Sequence, residues 1–295
     1  MKRKLRLVLI LGVFSVLFFS FSNVQAEEST KHFIWKMHST QGQAYLMGSM
    51  HILKEGDYPL PKVYDETFKA ADALVFEIDQ MPNSNESAEL IKKYGLHEAP
   101  TTLHNSVSKN TLKLLQDWQK KNNLPPEMFK QFKPWLVSVL LPLLEFNKLG
   151  FDSKYGLDAY FLKLAKQAKK RVLALETAEI QFGFFNALSA KVQEAMLKES
   201  LVEINLMGKK INELSQAWKG GDVKTMASLT NESLKEFPEV YDILLVKRNR
   251  DWTGKIENLM KSQRSPLIIV GAAHLVGPDG LLKIFESKGY TIEQL

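Results

Sequence analysis

The stretches able to form strands are short, apolar and far apart, and that spacing constrains the fold more than any other feature of the chain. Phe33-Ile34-Trp35-Lys36-Met37 and Ala44-Tyr45-Leu46-Met47 flank a polar turn with Gly42, which reads as a hairpin. Leu74-Val75-Phe76-Glu77-Ile78 is a buried-type strand with an acid set inside it, followed by a polar loop at 79–87. Arg171-Val172-Leu173-Ala174-Leu175 stands alone in the middle, ending at Glu176. Pro266-Leu267-Ile268-Ile269-Val270 and Tyr290-Thr291-Ile292 close the chain. Helical spacing fills the intervals: 62–71, most of 106–169 with Ser108 as a cap, 189–262 with breaks near Gly220-Gly221 and Pro238, and 281–288. Trp135 to Leu141 is apolar all round and is expected in the core. The expected class is α/β: a mixed β-sheet with strands near both chain ends, flanked by helices, and a largely helical middle insertion.

Charge is unevenly placed. The formal net charge is +6 over 295 residues, yet Lys2, Arg3, Lys4 and Arg6 precede an apolar run from Leu7 to Phe21 and the exit Val24-Gln25-Ala26. This is the layout of a secretory signal. The alternative, an uncleaved membrane anchor, needs roughly 20 apolar residues, more than this run supplies. Removing residues 1–26 leaves 35 basic against 33 acidic side chains, a net +2 on residues 27–295, which read as one domain. No clustered basic face remains for a nucleic acid. Membrane contact is expected only through the signal segment, and the mature protein is expected in a periplasm or outside the cell. Without cysteine, disulfides, thiolate metal sites and cysteine nucleophiles are excluded.

The familiar short motifs are absent: no Gly-x-Ser-x-Gly, P-loop, Gly-x-Gly-x-x-Gly or His-Glu-x-x-His. Two strands instead end in Gly-x-x-His, namely Gly48-Ser49-Met50-His51 and Gly271-Ala272-Ala273-His274, and two others carry or end in an acid, Glu77 and Glu176. In α/β folds the carboxyl ends of strands converge on one rim, where ligands bind. His51 and His274 would then meet although 223 residues apart. Two imidazoles with one or two carboxylates suit Mn²⁺, Zn²⁺, Co²⁺ or Fe²⁺, which could make hydroxide available near neutral pH. The competing reading is structural: a strand-end histidine bonded to backbone, and Glu77 on a solvent-facing side of its strand. The basic cluster Lys247-Arg248-Asn249-Arg250 has a similar pair of readings, a solvated helix face or an arginine reaching the site to hold a substrate carboxylate or carbonyl. Trp252 and Ile256 mark the apolar face of that helix. His32, His38, His97 and His104 lack strand-end context and read as surface residues or local caps.

Several runs, taken in order, resemble the TraB/GumN family. They are Tyr45 to His51, Tyr58-Pro59-Leu60-Pro61, Ala71 to Glu77, Tyr155-Gly156-Leu157-Asp158, Leu175 to Gln181, Arg248-Asn249-Arg250-Asp251-Trp252, and Val270 to Gly280. Leu157 departs from the β-branched residue expected before the aspartate. The resemblance implies a distant relation to Tiki proteases, which look like Mn²⁺- or Co²⁺-dependent peptidases, and to erythromycin-esterase and ChaN-like proteins. It implies His51 and His274 as metal ligands or catalytic histidines, and Glu77 as third ligand or general base. Glu176 is implied as a second acid or a partner that orients one, and Arg248 or Asn249 as orienting substrate or stabilising an oxyanion. The leading expectation is a secreted metal-dependent hydrolase acting on peptides, with a metal-free histidine base as its esterase-like variant. The alternative is a cell-envelope protein that binds a small ligand of the haem or iron type in the same cleft. An interaction scaffold would leave charged strand ends without a purpose.

Overall fold

Six strands assemble into one sheet in the order β4-β3-β5-β2-β1-β6: β1 (Ile34–Ser39), β2 (Gly42–Ser49), β3 (Ala73–Ile78), β4 (Arg171–Glu176), β5 (Pro266–Gly271) and β6 (Thr291–Gln294). Each falls on a run identified above. The computed structural model describes residues 31–40, 42–78 and 84–295; the expected signal at residues 1–26 lies outside the described residues. The expected hairpin forms, with β1 antiparallel to β2 and Ser39 opposite Gly42. β2, β5, β3 and β4 are mutually parallel along the sheet, and β6 runs antiparallel to β1. The sheet is therefore mixed, and its four parallel strands send their carboxyl ends to the same rim.

Central position explains composition. β5 lies between β2 and β3, and Leu267 to Val270 are fully buried without alternation, as a strand covered on both faces requires. The helices that matter to the site are, in chain order, α1 (Lys62–Ala70), α2 (Lys109–Lys121), α3 (Pro134–Lys148), α4 (Leu157–Gln167), α5 (Ala178–Ala187), α6 (Ala190–Val202), α7 (Met207–Lys219) and α8 (Lys247–Ser262). The Ser108 hydroxyl caps α2 by accepting from the Thr111 amide at 3.3 Å, and Pro134 opens α3, where its missing N–H costs nothing. α7 ends at Gly220, a helical run over 223–235 follows, and a further one starts at Pro238 and passes through a π-helical turn, Asp242–Val246, into α8. The polar loop expected at 79–87 is in part a helix, Ser84–Leu90. That helix is largely solvated, so it needs no apolar stripe to betray it. Residues 79–83 lie outside the described residues.

Two hydrophobic clusters result. The larger covers both faces of the sheet; the smaller joins Leu115 and Trp118 of α2, Val137 and Leu141 of α3, and Leu197 and Leu201 of α6. The helical middle thus carries its own small core, while Lys31–Leu295 remains one compact unit. Among the described residues no helix is long and apolar enough to cross a membrane.

Candidate functional site

The rim formed by the parallel strands collects all six residues singled out from the sequence: His51 after β2, Glu77 in β3, Glu176 at the end of β4, His274 after β5, and Arg248 and Asn249 on α8. Glu77 is 8% exposed, which overturns the solvent-facing reading of its strand position. Its face of β3 is covered by side chains from α5 and α8. Oε1 accepts from the Gly271 amide at 2.8 Å, and Oε2 accepts from Arg248 Nη2 at 2.6 Å and Gln181 Nε2 at 3.0 Å. Burial by itself would raise the Glu77 pKa, but its electrostatic interactions with His274, Arg248 and His51, together with the Gly271 amide, hold it well below the usual carboxylate range.

Arg248 is the hub. Nε donates to Glu176 Oε1 at 3.1 Å, Nη2 to Glu77 and to Glu176 Oε2 at 2.9 Å, and Nη1 to the Leu244 carbonyl at 3.2 Å and to His274 Nε2 at 3.0 Å. A guanidinium has five N–H groups, so every one is engaged within the protein. Trp252 supports it from below, with the guanidinium carbon 4.6 Å from the ring centroid, and also donates its indole N–H to Glu176 at 2.9 Å. The basic cluster divides by helical phase: Lys247 and Arg250 face solvent, while Arg248 and Asn249 turn inward with Trp252. The substrate contact expected of Arg248 finds no uncommitted donor in this arrangement. The same is true of Asn249, whose amide nitrogen donates to the His274 and Asp279 carbonyls at 3.1 and 2.8 Å.

These bonds fix the state of His274. Arg248 can only donate, so Nε2 is the unprotonated acceptor, and Nδ1–H donates to Asn249 Oδ1 at 2.7 Å. Burial, above all, pushes its pKa down to about 3, with Glu77 opposing and Arg248 and His51 assisting. Near neutral pH it is therefore neutral, and the charge that keeps Glu77 ionised comes from Arg248 and His51. A stability prediction follows from the sign. An unfolded imidazole titrates near about 6.5, so unfolding takes up a proton anywhere between that pH and about 3. The contribution of His274 is complete above the upper limit and falls as pH is lowered through the window, by up to about 1.4 kcal/mol per pH unit. Urea midpoints measured from pH 4 to 8 should show that slope in the wild type and lose it in His274→Gln.

His51 is different: its side chain is 60% exposed, at the mouth of a cleft. Nδ1–H donates to Asp158 Oδ2 at 2.8 Å, and the Ser49 hydroxyl donates to the same oxygen. Nε2 faces Glu77 Oε1 across 3.9 Å. Asp158 pushes the His51 pKa up to about 9, with further help from Glu77 and against shielding by the cleft and the Arg248 charge. Two glycines make this packing feasible. A Cβ on Gly156 would lie 2.2 Å from the His51 carbonyl oxygen, and one on Gly271 would lie 3.0 Å from His51 Nε2. Gly156 thus lets α4 start against the His51 backbone, with Asp158 in its first turn. Asp158 and Gln181 lay in runs noted above without being given a role. An acid in a helix's first turn usually complements the dipole, so the only hint at Asp158 was the glycine two residues before it.

The metal implied by the resemblance can be tested against these donors. His51 Nε2 and Glu77 Oε1 point toward one another, but both His274 nitrogens are committed, and Arg248 places a fixed cation against Glu77 Oε2. Among the described residues no group of three or more His, Asp or Glu side chains is arranged to hold a metal ion. The residues therefore do not fit a site in which His51, His274 and Glu77 are common ligands.

Comparison with known proteins agrees with the motif order. The uncharacterized protein YbaP of Shigella flexneri is 28% identical over 243 residues, covering 81% of this chain and 86% of its own length. YbaP of Escherichia coli (strain K12) is 28% identical over 242 residues, covering 80% and 85%. No solved structure matches the chain at comparable significance. The match to the TraB/PrgY/gumN family model runs over residues 33–294, from the first strand to the last and across every residue of the rim, and the chain belongs to that family.

Proposed function

We propose that the chain is an exported hydrolase of acyl bonds, peptide or ester, in which His51 is the general base. The observation that carries this reading is the 3.9 Å gap between His51 Nε2 and Glu77 Oε1 at an accessible cleft. That gap is too long for a direct hydrogen bond and suits a bridging water. In the neutral form of His51, Asp158 holds Nδ1–H, which leaves the Nε2 lone pair directed at such a water and favours the imidazolium formed when the proton is taken. Glu77, kept ionised by Arg248, accepts a hydrogen bond from the second water hydrogen and orients the oxygen lone pair toward a carbonyl carbon in the cleft. The His51 imidazolium then returns the proton to the amine or alkoxide that leaves as the C–N or C–O bond breaks. The cavity of about 300 Å³ lies at the small end of the range for ligand pockets, roughly 300–1,000 Å³. That favours a short segment of substrate over a macrocycle such as haem.

The test is turnover of fluorogenic peptides and nitrophenyl esters by the mature protein before and after exhaustive chelation. The expected result is hydrolysis that survives chelation. Loss on chelation with recovery in Mn²⁺, Co²⁺ or Zn²⁺ would replace this reading with the metal-dependent one. Ligand-induced thermal shifts without turnover would favour the binding-protein reading. The working form of His51 is the neutral one, so activity should rise with pH on a limb governed by its pKa of about 9. Asp158→Asn removes the main cause of the elevation. The limb should then move toward the ordinary value near about 6.5, together with the His51 resonance in a proton NMR titration. A limb that stays in place would separate His51 from the rate.

A further inference from the structure

The polar edge of the cleft belongs to the chemistry, but most of its lining does not. Ile52, Phe76, Ile78, Leu143, Ala159 and Leu162 close the space beside His51 and Glu77. These residues come from four separated segments: the loop after β2, strand β3, α3 and α4. Leu143 is 37% exposed although it sits on a helix whose other leucines largely find cover. An open cavity with a nearly continuous apolar wall is stabilised by an apolar occupant that displaces water from it.

Helix geometry fixes where such an occupant would sit. Asp158 and Leu162 are four residues apart on α4, so they lie on one face about one helical turn from each other. The residue that holds His51 and the residue that lines the apolar wall are thus placed in register by the same helix. A cavity of about 300 Å³ equals about ten water volumes of roughly 30 Å³ each, room for one large side chain and little more.

We infer that this cavity is the pocket for a single aliphatic or aromatic substrate side chain adjoining the scissile carbonyl, with Leu143 and Leu162 as its selecting walls. The inference rests on the acyl-hydrolase reading for its position relative to the reacting bond. It adds the substrate class: acyl compounds bearing Leu-, Met- or Phe-like groups next to the carbonyl, in preference to small, polar or charged ones. One added or removed methylene in an apolar pocket changes kcat/KM by roughly 10–200-fold. A step from Ala to Leu at this position should therefore raise kcat/KM at least about tenfold.

Two measurements on the mature protein test this. The first is kcat/KM across a peptide ester series carrying Gly, Ala, Ser, Asp, Leu or Phe beside the scissile carbonyl, for wild type and Leu143→Asp. The second is calorimetric binding of acetyl-leucine methyl ketone against acetyl-alanine methyl ketone, whose ketone carbon cannot be hydrolysed. Leu143 is accessible enough for the aspartate variant to fold, which its melting curve checks. The expected result is a preference for Leu and Phe in the first measurement and for the leucine ketone in the second, both lost in Leu143→Asp. Selective ketone binding without any ester turnover would uphold the pocket while ending the hydrolase reading. Turnover that is indifferent to the side chain, with equal binding of the two ketones, would overturn the pocket and leave the hydrolase reading in place. A preference unchanged in Leu143→Asp would also overturn it.

Discussion

His51→Ala is expected to lower hydrolysis by roughly 10²–10⁴-fold, the usual contribution of a positioned acid or base, while leaving the melting temperature nearly unchanged. The two halves of that expectation have separate causes. The ring is 60% exposed and makes one hydrogen bond, to an aspartate that is also held by Ser49. Its removal opens no buried cavity, and buried Glu77 keeps the Arg248 guanidinium beside it, so the folding energy at stake is small. The rate depends on Nε2 alone, since no other described imidazole on this rim has an uncommitted nitrogen: His274 is closed by Arg248 and Asn249. The check is kcat and KM for wild type, His51→Ala and His51→Gln beside their thermal melts. A drop in kcat at constant melting temperature supports the base assignment. Full activity in both variants would move the chemistry elsewhere.

Arg248→Met should have the opposite signature, a loss of folding. The guanidinium is 9% exposed and compensates two buried carboxylates, Glu77 at 2.6 Å and Glu176 at 2.9 Å. Removing one member of a buried ion network leaves uncompensated charge and costs about 3–5 kcal/mol. In a domain of this size that corresponds to a fall in melting temperature on the order of 10 °C. Both carboxylates then lose their countercharge, and the His274 ring loses the donor that defines its tautomer. Combining Arg248→Met with Glu77→Gln and Glu176→Gln should recover part of the loss, because the coupling energy lies in the charge that was left behind. The measurement is a cycle of calorimetric unfolding across these variants. An Arg248→Met protein that melts like wild type yet fails to bind or turn over substrate would return Arg248 to the substrate-orienting role its family resemblance implies.

Legibility in the sequence followed local physics. All six strands could be read because each is a short apolar run bounded by turn formers or charge, and Ser108 and Pro134 mark helix starts by the groups they offer or lack. Convergence of His51 and His274 could be read as well, since parallel strands bring their carboxyl ends to one rim. The inward turn of Arg248 was within reach: it lies four residues before Trp252 and eight before Ile256, on the same face of α8, whereas Lys247 and Arg250 do not. Asp158 was not legible. Its meaning depends on Gly156 meeting the His51 carbonyl, a contact between positions more than a hundred residues apart.

From the chain's local pattern come the α/β class, the strand ends that carry the chemistry and the restriction to imidazole and oxygen donors imposed by the missing cysteine. Tertiary packing alone decided which of those donors remain available. Two histidines in identical Gly-x-x-His contexts became unlike because one is buried against a guanidinium that can only donate, and the other stands in a cleft on a carboxylate that only accepts. Sequence spacing carries no information about which partner a side chain meets across the fold. That meeting sets the protonation state of each ring, and with it the separation of a structural histidine from a reactive one.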